Sequence, residues 1–153
     1  MELPQVIALH VSPHDRILDV GCGNRDRTRG LPNEVVSVDA WENVRPDMLL
    51  DLSKELFPFT DRSFDVVLMI DFIEHLEKER GKVVLQDAKR VGKKIILFTP
   101  LWWTDNSDNV KNPSLWCFNN PYDYHKSLWT VSDFEGWQRI PFESYFLGVW
   151  STP

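Results

Sequence analysis

Short apolar runs bounded by glycine, proline and acidic residues recur through the first hundred residues, and their spacing predicts most of the secondary structure. Arg16–Val20, Val35–Asp39, Met48–Leu50, Phe64–Ile70 and Lys94–Phe98 are too short for helices and end on turn-forming residues, so they read as five strands. Phe64–Ile70 is the most apolar of them and belongs at the centre of a sheet, buried on both faces. Between 74 and 90 the period lengthens, with Leu76, Val83, Val84 and Ala88 forming a stripe that predicts a helix over Glu74–Arg90. Gly81 inside that stripe costs about 1 kcal/mol relative to alanine.

The connections are short. Residues 3–10 predict a helix that covers one edge or face of the sheet, and Ser12–Asp15 a turn. Asn24–Gly30 has room for at most two helical turns before Gly30-Leu31-Pro32 stops it. Eleven residues separate Asp39 from Asp51, close to the minimum of about a dozen for a parallel crossover, so a loop or single turn is expected there. After Pro100 the pattern breaks down. Residues 101–129 mix Asn and Asp with Trp102, Trp103, Trp116, Phe118, Tyr122, Tyr124 and Trp129, which is loop chemistry with too many aromatics for disorder. Thr130–Asp133 carries capping residues for a short helix, and Tyr145–Trp150 predicts a last strand, antiparallel at the sheet edge. These elements give an α/β fold class: a Rossmann-like three-layer sandwich on a mostly parallel sheet, a single domain over 1–153.

The chemistry concentrates where the first two strands end. Strand one passes Asp19 into Gly21-Cys22-Gly23, and strand two ends on Asp39, eighteen residues after Gly21. A strand, a glycine turn and an acid at the tip of the next strand form a nucleoside-binding half-sheet, in which the acid accepts hydrogen bonds from both ribose hydroxyls. A dinucleotide site wants a third glycine and a helix N-terminus for the pyrophosphate. Here Arg25 follows Asn24 and Asp26 occupies the slot three after Gly23, where an acid repels phosphate. Asp19 suits an ammonium group or the capping of the glycine turn. A ligand with a ribose, an amino-acid tail and no phosphate fits these residues, and S-adenosylmethionine is that ligand; a nicotinamide dehydrogenase is disfavoured by the same residues.

The segments Ile17–Asn24, Val36–Asp39, Asp51-Leu52-Ser53, Phe57–Val67, Glu74-His75-Leu76 and Thr99-Pro100 fall in order over residues 16–100. Together they resemble a class I S-adenosylmethionine-dependent methyltransferase of the type 11 group. The departures are Arg25, where that family usually has a glycine, and the short connections after strands one and two. The resemblance implies S-adenosyl-L-methionine as cofactor and S-adenosyl-L-homocysteine as product. It implies a cofactor set of Asp19, Gly21, Cys22, Gly23, Asn24, Asp39, Ala40, Asp51, Leu52 and Asp71. Asp51 resembles the acid that accepts the adenine amino group, with capping of Ser53-Lys54-Glu55 as its other reading. Trp41 is placed against the adenine or in the core. Asp71, at the end of the central strand, faces the methionine end and the substrate, or caps the segment after the strand. Arg25 is a candidate partner for the methionine carboxylate, or part of a solvated basic face with Arg27 and Arg29. His75 resembles an orienting residue near the cofactor. His125 lies in a stretch resembling the loop that lines the acceptor pocket, where an imidazole can take a proton from an acceptor or simply bond to backbone. His125 and Asp71 are the candidate catalytic residues.

Composition narrows the partners. The chain has 153 residues and a net charge of −6, which disfavours a nucleic-acid acceptor because phosphate contacts need clustered Lys and Arg. No apolar run is long enough to span a membrane. Two cysteines, Cys22 and Cys117, give neither a disulfide framework nor a metal set, and the expected setting is the cytoplasm. There is no Gly-x-Ser-x-Gly, His-x-x-x-His or Cys-x-x-Cys, and no metal is expected. Methyl transfer to a small molecule by in-line displacement, on a monomer or homodimer, is the leading reading. Residues 16–100 would form the cofactor half, and 101–153 an aromatic acceptor or lid segment plus the edge strand. The alternative is a non-catalytic binding or interaction module; a pocket filled by Arg25 or Trp41 would favour it.

Overall fold

A computed structural model describes residues 2–153. Its centre is a seven-stranded sheet in the order β3-β2-β1-β4-β5-β7-β6. The strands are β1 (Ile17–Val20), β2 (Val35–Asp39), β3 (Met48–Leu49), β4 (Phe64–Ile70), β5 (Gly92–Pro100), β6 (Gln138–Ile140) and β7 (Tyr145–Ser151). The first five run parallel, while β7 pairs antiparallel with both β5 and β6. The sheet therefore carries two antiparallel strands. Gln138–Ile140 takes the edge and leaves Tyr145–Ser151 one place inside it; three residues with little apolar character gave no strand signal of their own.

The apolar run of β4 is explained by its two covered faces. Side chains alternate across a strand, so Val67 and Met69 join one core and Val66, Leu68 and Ile70 the other. The first core is closed by helix α2 (Lys78–Val91) through Val84, Leu85, Ala88 and Val91. The second is closed by helix α1 (Leu3–His10) through Leu3, Val6 and Ile7. Helix on sheet on helix is the expected three-layer arrangement.

Helix α2 starts four residues later than the apolar stripe suggests. Ile73–His75 forms a separate 3₁₀ turn, and Glu77 is the residue before the first helical turn. Gly81 has a packing reason: a Cβ there would stand 2.6 Å from the ring of Trp129, which is 1% exposed. After β1, residues 24–30 form turns with no α-helix, and after β2 the chain makes only the 3₁₀ turn Glu42–Val44. Both connections are as compressed as their length requires. The segment predicted to cap at Thr130 forms the 3₁₀ turn Val131–Phe134 with a capping box between Thr130 and Asp133. Residues 101–129 fold back over the carboxyl ends of the parallel strands, with Ser107–Val110 (α3) as their sole α-helix. No helix among the described residues is long and apolar enough to cross a membrane.

Candidate functional site

The strand order turns back between β1 and β4, and in open parallel sheets the crevice outside the carboxyl ends at such a point is where ligands bind. A cavity of about 870 Å³ occupies that place. Its lining includes all ten residues of the expected cofactor set and both expected catalytic residues.

β1 enters the Gly21-Cys22-Gly23 turn with φ of +66° at Gly21 and +48° at Gly23, a region open to glycine at little cost. The absent side chains matter as well. A Cβ on Gly21 would stand 2.5 Å from Phe72, and one on Gly23 would stand 2.7 Å from Trp116. Two aromatic rings thus rest on bare backbone, Phe72 from the end of β4 and Trp116 from the late loop. Cys22 is buried between the glycines; burial and then the carboxylates of Asp39 and Asp19 push its thiol up to about 11, so it is inert filler at neutral pH.

Asp39 ties the turn to β2. Its Oδ2 accepts from the Gly23 amide at 3.0 Å and its Oδ1 from the Trp41 amide at 2.9 Å. Asp39 thus closes the turn at the strand end, and each oxygen keeps a lone pair for a ligand. Asp19 is buried, accepts from the Thr28 hydroxyl at 2.7 Å, and is raised by that burial to about 6. The pairing of Asp39 with Leu49 brings Asp51 just beyond the tip of β2. Asp51 Oδ1 accepts from the amide and hydroxyl of Ser53 at 3.0 and 2.5 Å, so it does cap that turn while lining the cavity beside buried Leu52.

The arginines separate clearly. Arg25 holds the slot where the family has glycine with a φ of +61°, which is why glycine is usual there. Its guanidinium donates to the Arg45 carbonyl, its Nε is buried without a partner, and it does not line the cavity. The structure therefore turns Arg25 away from the place expected of it. Arg27 does line the cavity, with a guanidinium nitrogen 3.4 Å from Asp71 Oδ2. Trp41 also stays out of the cavity.

Asp71 follows β4 with a φ of +49°, a left-handed conformation that five other non-glycine residues also adopt. Burial raises its carboxyl and Arg27 opposes the rise. Beside it stands Glu74, which the sequence marked only as part of Glu-His-Leu. Glu74 is 2% exposed, accepts from Thr99 Oγ1 at 2.9 Å, and is pushed up by burial to about 8. His75 and His125 meet edge to face with ring centres 4.9 Å apart. Burial lowers both, His75 to about 4. The signal for this cluster lay in His75 and His125 themselves, fifty residues apart, and needed the fold to join them.

The aromatic segment divides into two functions. Trp102, Trp116 and Tyr122 line the cavity together with Tyr145 of β7, while Trp129 is core over Gly81 and Phe134. Trp103, Phe118 and Tyr124 lie on the surface outside the cavity.

Comparison with known proteins agrees with this geometry. The family described as "Methyltransferase domain" matches residues 18–95, from β1 into β5. A sequence comparison with curated proteins gives no match. Among solved structures, the PH0226 protein from Pyrococcus horikoshii OT3 superposes with a TM-score of 0.68 at 19% identity, over 99% of this chain and 88% of that one. A TehB-like SAM-dependent methyltransferase from Corynebacterium glutamicum gives 0.64 at 15% identity, over 98% and 86%. The 1,6-didemethyltoxoflavin-N1-methyltransferase of Burkholderia thailandensis, solved with its substrate and S-adenosylhomocysteine, gives 0.62 at 11% identity, over 95% and 74%. At these identities the structures share the fold, and the family match covers the strand ends and turns from Asp19 to Leu76 that line the cavity. The chain belongs to the methyltransferase-domain family and shares the fold of a SAM-dependent methyltransferase.

Proposed function

We propose that the chain works as one unit, residues 16–100 holding the cofactor and 101–153 supplying the acceptor wall, and that it methylates a small molecule. One observation carries this reading: a single cavity joins the glycine turn, Asp39, Asp51 and Asp71 to His125 and to Trp102, Trp116, Tyr122 and Tyr145. Neither Arg25 nor Trp41 fills it, which supports an open catalytic site over a binding module.

The residues fit the cofactor. The cavity lining holds nine carboxyls (Asp19, Asp26, Asp39, Asp51, Asp71, Glu74, Asp105, Asp108 and Asp123) against Arg27, Lys54 and Lys126, which suits a cationic ligand and opposes phosphates. Asp19 receives the ammonium, Arg27 the carboxylate, Asp39 the ribose hydroxyls, and Asp51 with Leu52 the adenine. The glycine turn lines the cavity beside these groups, with Phe72 and Trp116 packed on Gly21 and Gly23. S-adenosylmethionine supplies a methyl group already activated by positively charged sulfur, and the electron pair of the breaking carbon–sulfur bond stays on that sulfur.

What remains for the protein is alignment, exclusion of water and disposal of the acceptor's proton. Asp71, held at its left-handed φ, orients the acceptor. His125 has one ring nitrogen bonded to the Thr104 carbonyl at 2.9 Å; a carbonyl only accepts, so that nitrogen carries the proton and the other has a free lone pair. Asp71 and His125 are the groups that receive the proton. Four aromatic rings favour a flat acceptor, and the acidic lining favours one that is neutral or cationic.

Isothermal titration with S-adenosylmethionine and S-adenosylhomocysteine tests the site. Binding is expected in wild type and a loss of roughly tenfold or more in Asp39→Asn, since one charge-assisted bidentate contact is worth about 1.5–3 kcal/mol. Unchanged affinity in that variant would remove Asp39 from the site and the reading with it.

A further inference from the structure

Glu74, His75 and His125 each present one donor atom, and the three atoms lie within 4.8 Å of one another. From the placement of these side chains we propose that the protein binds a first-row divalent transition-metal ion, with Zn²⁺ as the best fit, through Glu74, His75 and His125 at the acceptor end of the cavity.

Three observations carry this. The first is the orientation of the imidazoles. His75 Nδ1 lies 3.3 Å from the Tyr124 carbonyl oxygen and His125 Nδ1 lies 2.9 Å from that of Thr104. The Thr104 carbonyl fixes the proton of His125 on Nδ1 and leaves its Nε2 as a lone pair, while the Tyr124 carbonyl holds the His75 ring in place. A backbone carbonyl on the far nitrogen is the usual support of a metal-binding histidine, because it sets both tautomer and ring direction. Here two rings in contact share it.

The second is a shortage of donors. His75 Nε2 lies 3.9 Å from Asp123 Oδ1, too far for a hydrogen bond between them. Glu74 adds a buried carboxyl whose one hydroxyl partner is Thr99 Oγ1 and which gives up its proton when a cation enters. Acceptors gathered this way need a cation or protons between them. The third is the donor set. Two imidazoles and one carboxylate form the His₂Glu group that holds Zn²⁺ with a position left open, and hard ions such as Mg²⁺ prefer all-oxygen sets. Ligands about 2.0–2.2 Å from an ion stand roughly 3–4 Å apart, so movement of under about 1 Å closes the site. All three residues border the cavity, so the open position faces the acceptor.

The consequence deepens the proposed activity and rests on it. An ion there lowers the pKa of an acceptor hydroxyl or amine bound to it. His125 then acts as a ligand, and Asp71 alone receives the proton.

The test is direct titration of metal-stripped full-length protein with ZnCl₂, alongside the absorption spectrum of the Co²⁺-loaded protein. Wild type is expected to bind one equivalent, with visible Co²⁺ bands of a nitrogen-ligated site. His125→Ala, at a half-buried position, is expected to weaken binding roughly tenfold or more and to abolish those bands. His14→Ala, on the exposed turn before β1, should leave both unchanged. S-adenosylhomocysteine titrations on the same samples separate the two readings: its binding reports the cofactor site, whatever the metal result. No saturable Zn²⁺ binding, or equal binding by wild type and His125→Ala, would overturn the metal site and leave a pair of hydrogen-bonded histidines.

Discussion

Asp19 shows how a single carboxyl can serve binding against stability. Buried under the glycine turn with one hydroxyl partner, its folded-state pKa rises from an ordinary 3.8 to about 6. A raised carboxyl pKa means that the folded state holds the proton more tightly than the unfolded chain. Its contribution is fully present below about pH 4 and is lost as pH rises through 6. At about 1.4 kcal/mol per pH unit, the loss approaches about 3 kcal/mol at neutral pH. Asp19→Asn keeps an acceptor for Thr28 and removes the charge. Urea unfolding should show it equal to wild type near pH 4 and more stable by about 1–3 kcal/mol at pH 8, with S-adenosylhomocysteine binding weakened. A stability difference independent of pH would mean the carboxyl is not held protonated. The arginines give a second prediction at this scale. Arg27→Ala should reduce cofactor affinity several-fold, while Arg25→Ala, whose side chain points to the Arg45 carbonyl, should change stability more than affinity; the reverse ranking in calorimetry would return Arg25 to the site. In sequence Arg25 is the one singled out, because it stands where the family usually has glycine. What separates them is a backbone φ of +61° at Arg25, which a pattern of residue types does not carry.

At the scale of the element, helix α2 explains why propensity and packing disagree. Gly81→Ala should stabilise an isolated helix by about 1 kcal/mol. In this fold the new methyl would meet the Trp129 ring at 2.6 Å, and the tryptophan is hemmed in by Phe134 and by the Lys78 ammonium over its face. Crowding of this kind costs about 1–3 kcal/mol, so the substitution is expected to destabilise by up to about 2 kcal/mol net. Thermal unfolding followed by circular dichroism checks the sign, and a stabilised variant would show that Trp129 moves aside without cost. The strands behaved differently. Val35–Asp39 and Phe64–Ile70 were legible to the residue because apolar runs bounded by turns leave little choice of register. The start of α2 was not, because the same apolar period continues back through the 3₁₀ turn Ile73–His75. Gln138–Ile140 was not either, since an edge strand of two exposed residues and one half-buried residue has no periodic signal.

At the scale of the molecule, the parallel half and the segment 101–129 are joined at Trp129 in the core and around the cavity. Lys126 and Ser127 amides bond to the Glu74 carbonyl, Trp116 rests on Gly23, and His125 meets His75. The cofactor half was readable because close backbone approach and ribose recognition need glycine and acid at fixed places along consecutive strands. The acceptor half was readable only as aromatic composition, because which rings turn inward depends on how an irregular loop lands. These few contacts set an expectation for dynamics. A ligand held between Gly21-Gly23, Asp39 and Asp71 fills the space under Trp116 and Tyr122, so binding should steady the loop as well as the turn. Hydrogen exchange with and without S-adenosylhomocysteine should then show slowing in 21–27, 39–54 and 71–76 and, in the same titration, in 104–125, while α1 on the far face stays unchanged. Protection confined to the first three stretches would mean that the late loop stands clear of the bound cofactor. The acceptor would then enter a site whose wall forms only when it arrives, and selectivity would have to be sought in loop closure instead of in the rings already lining the cavity.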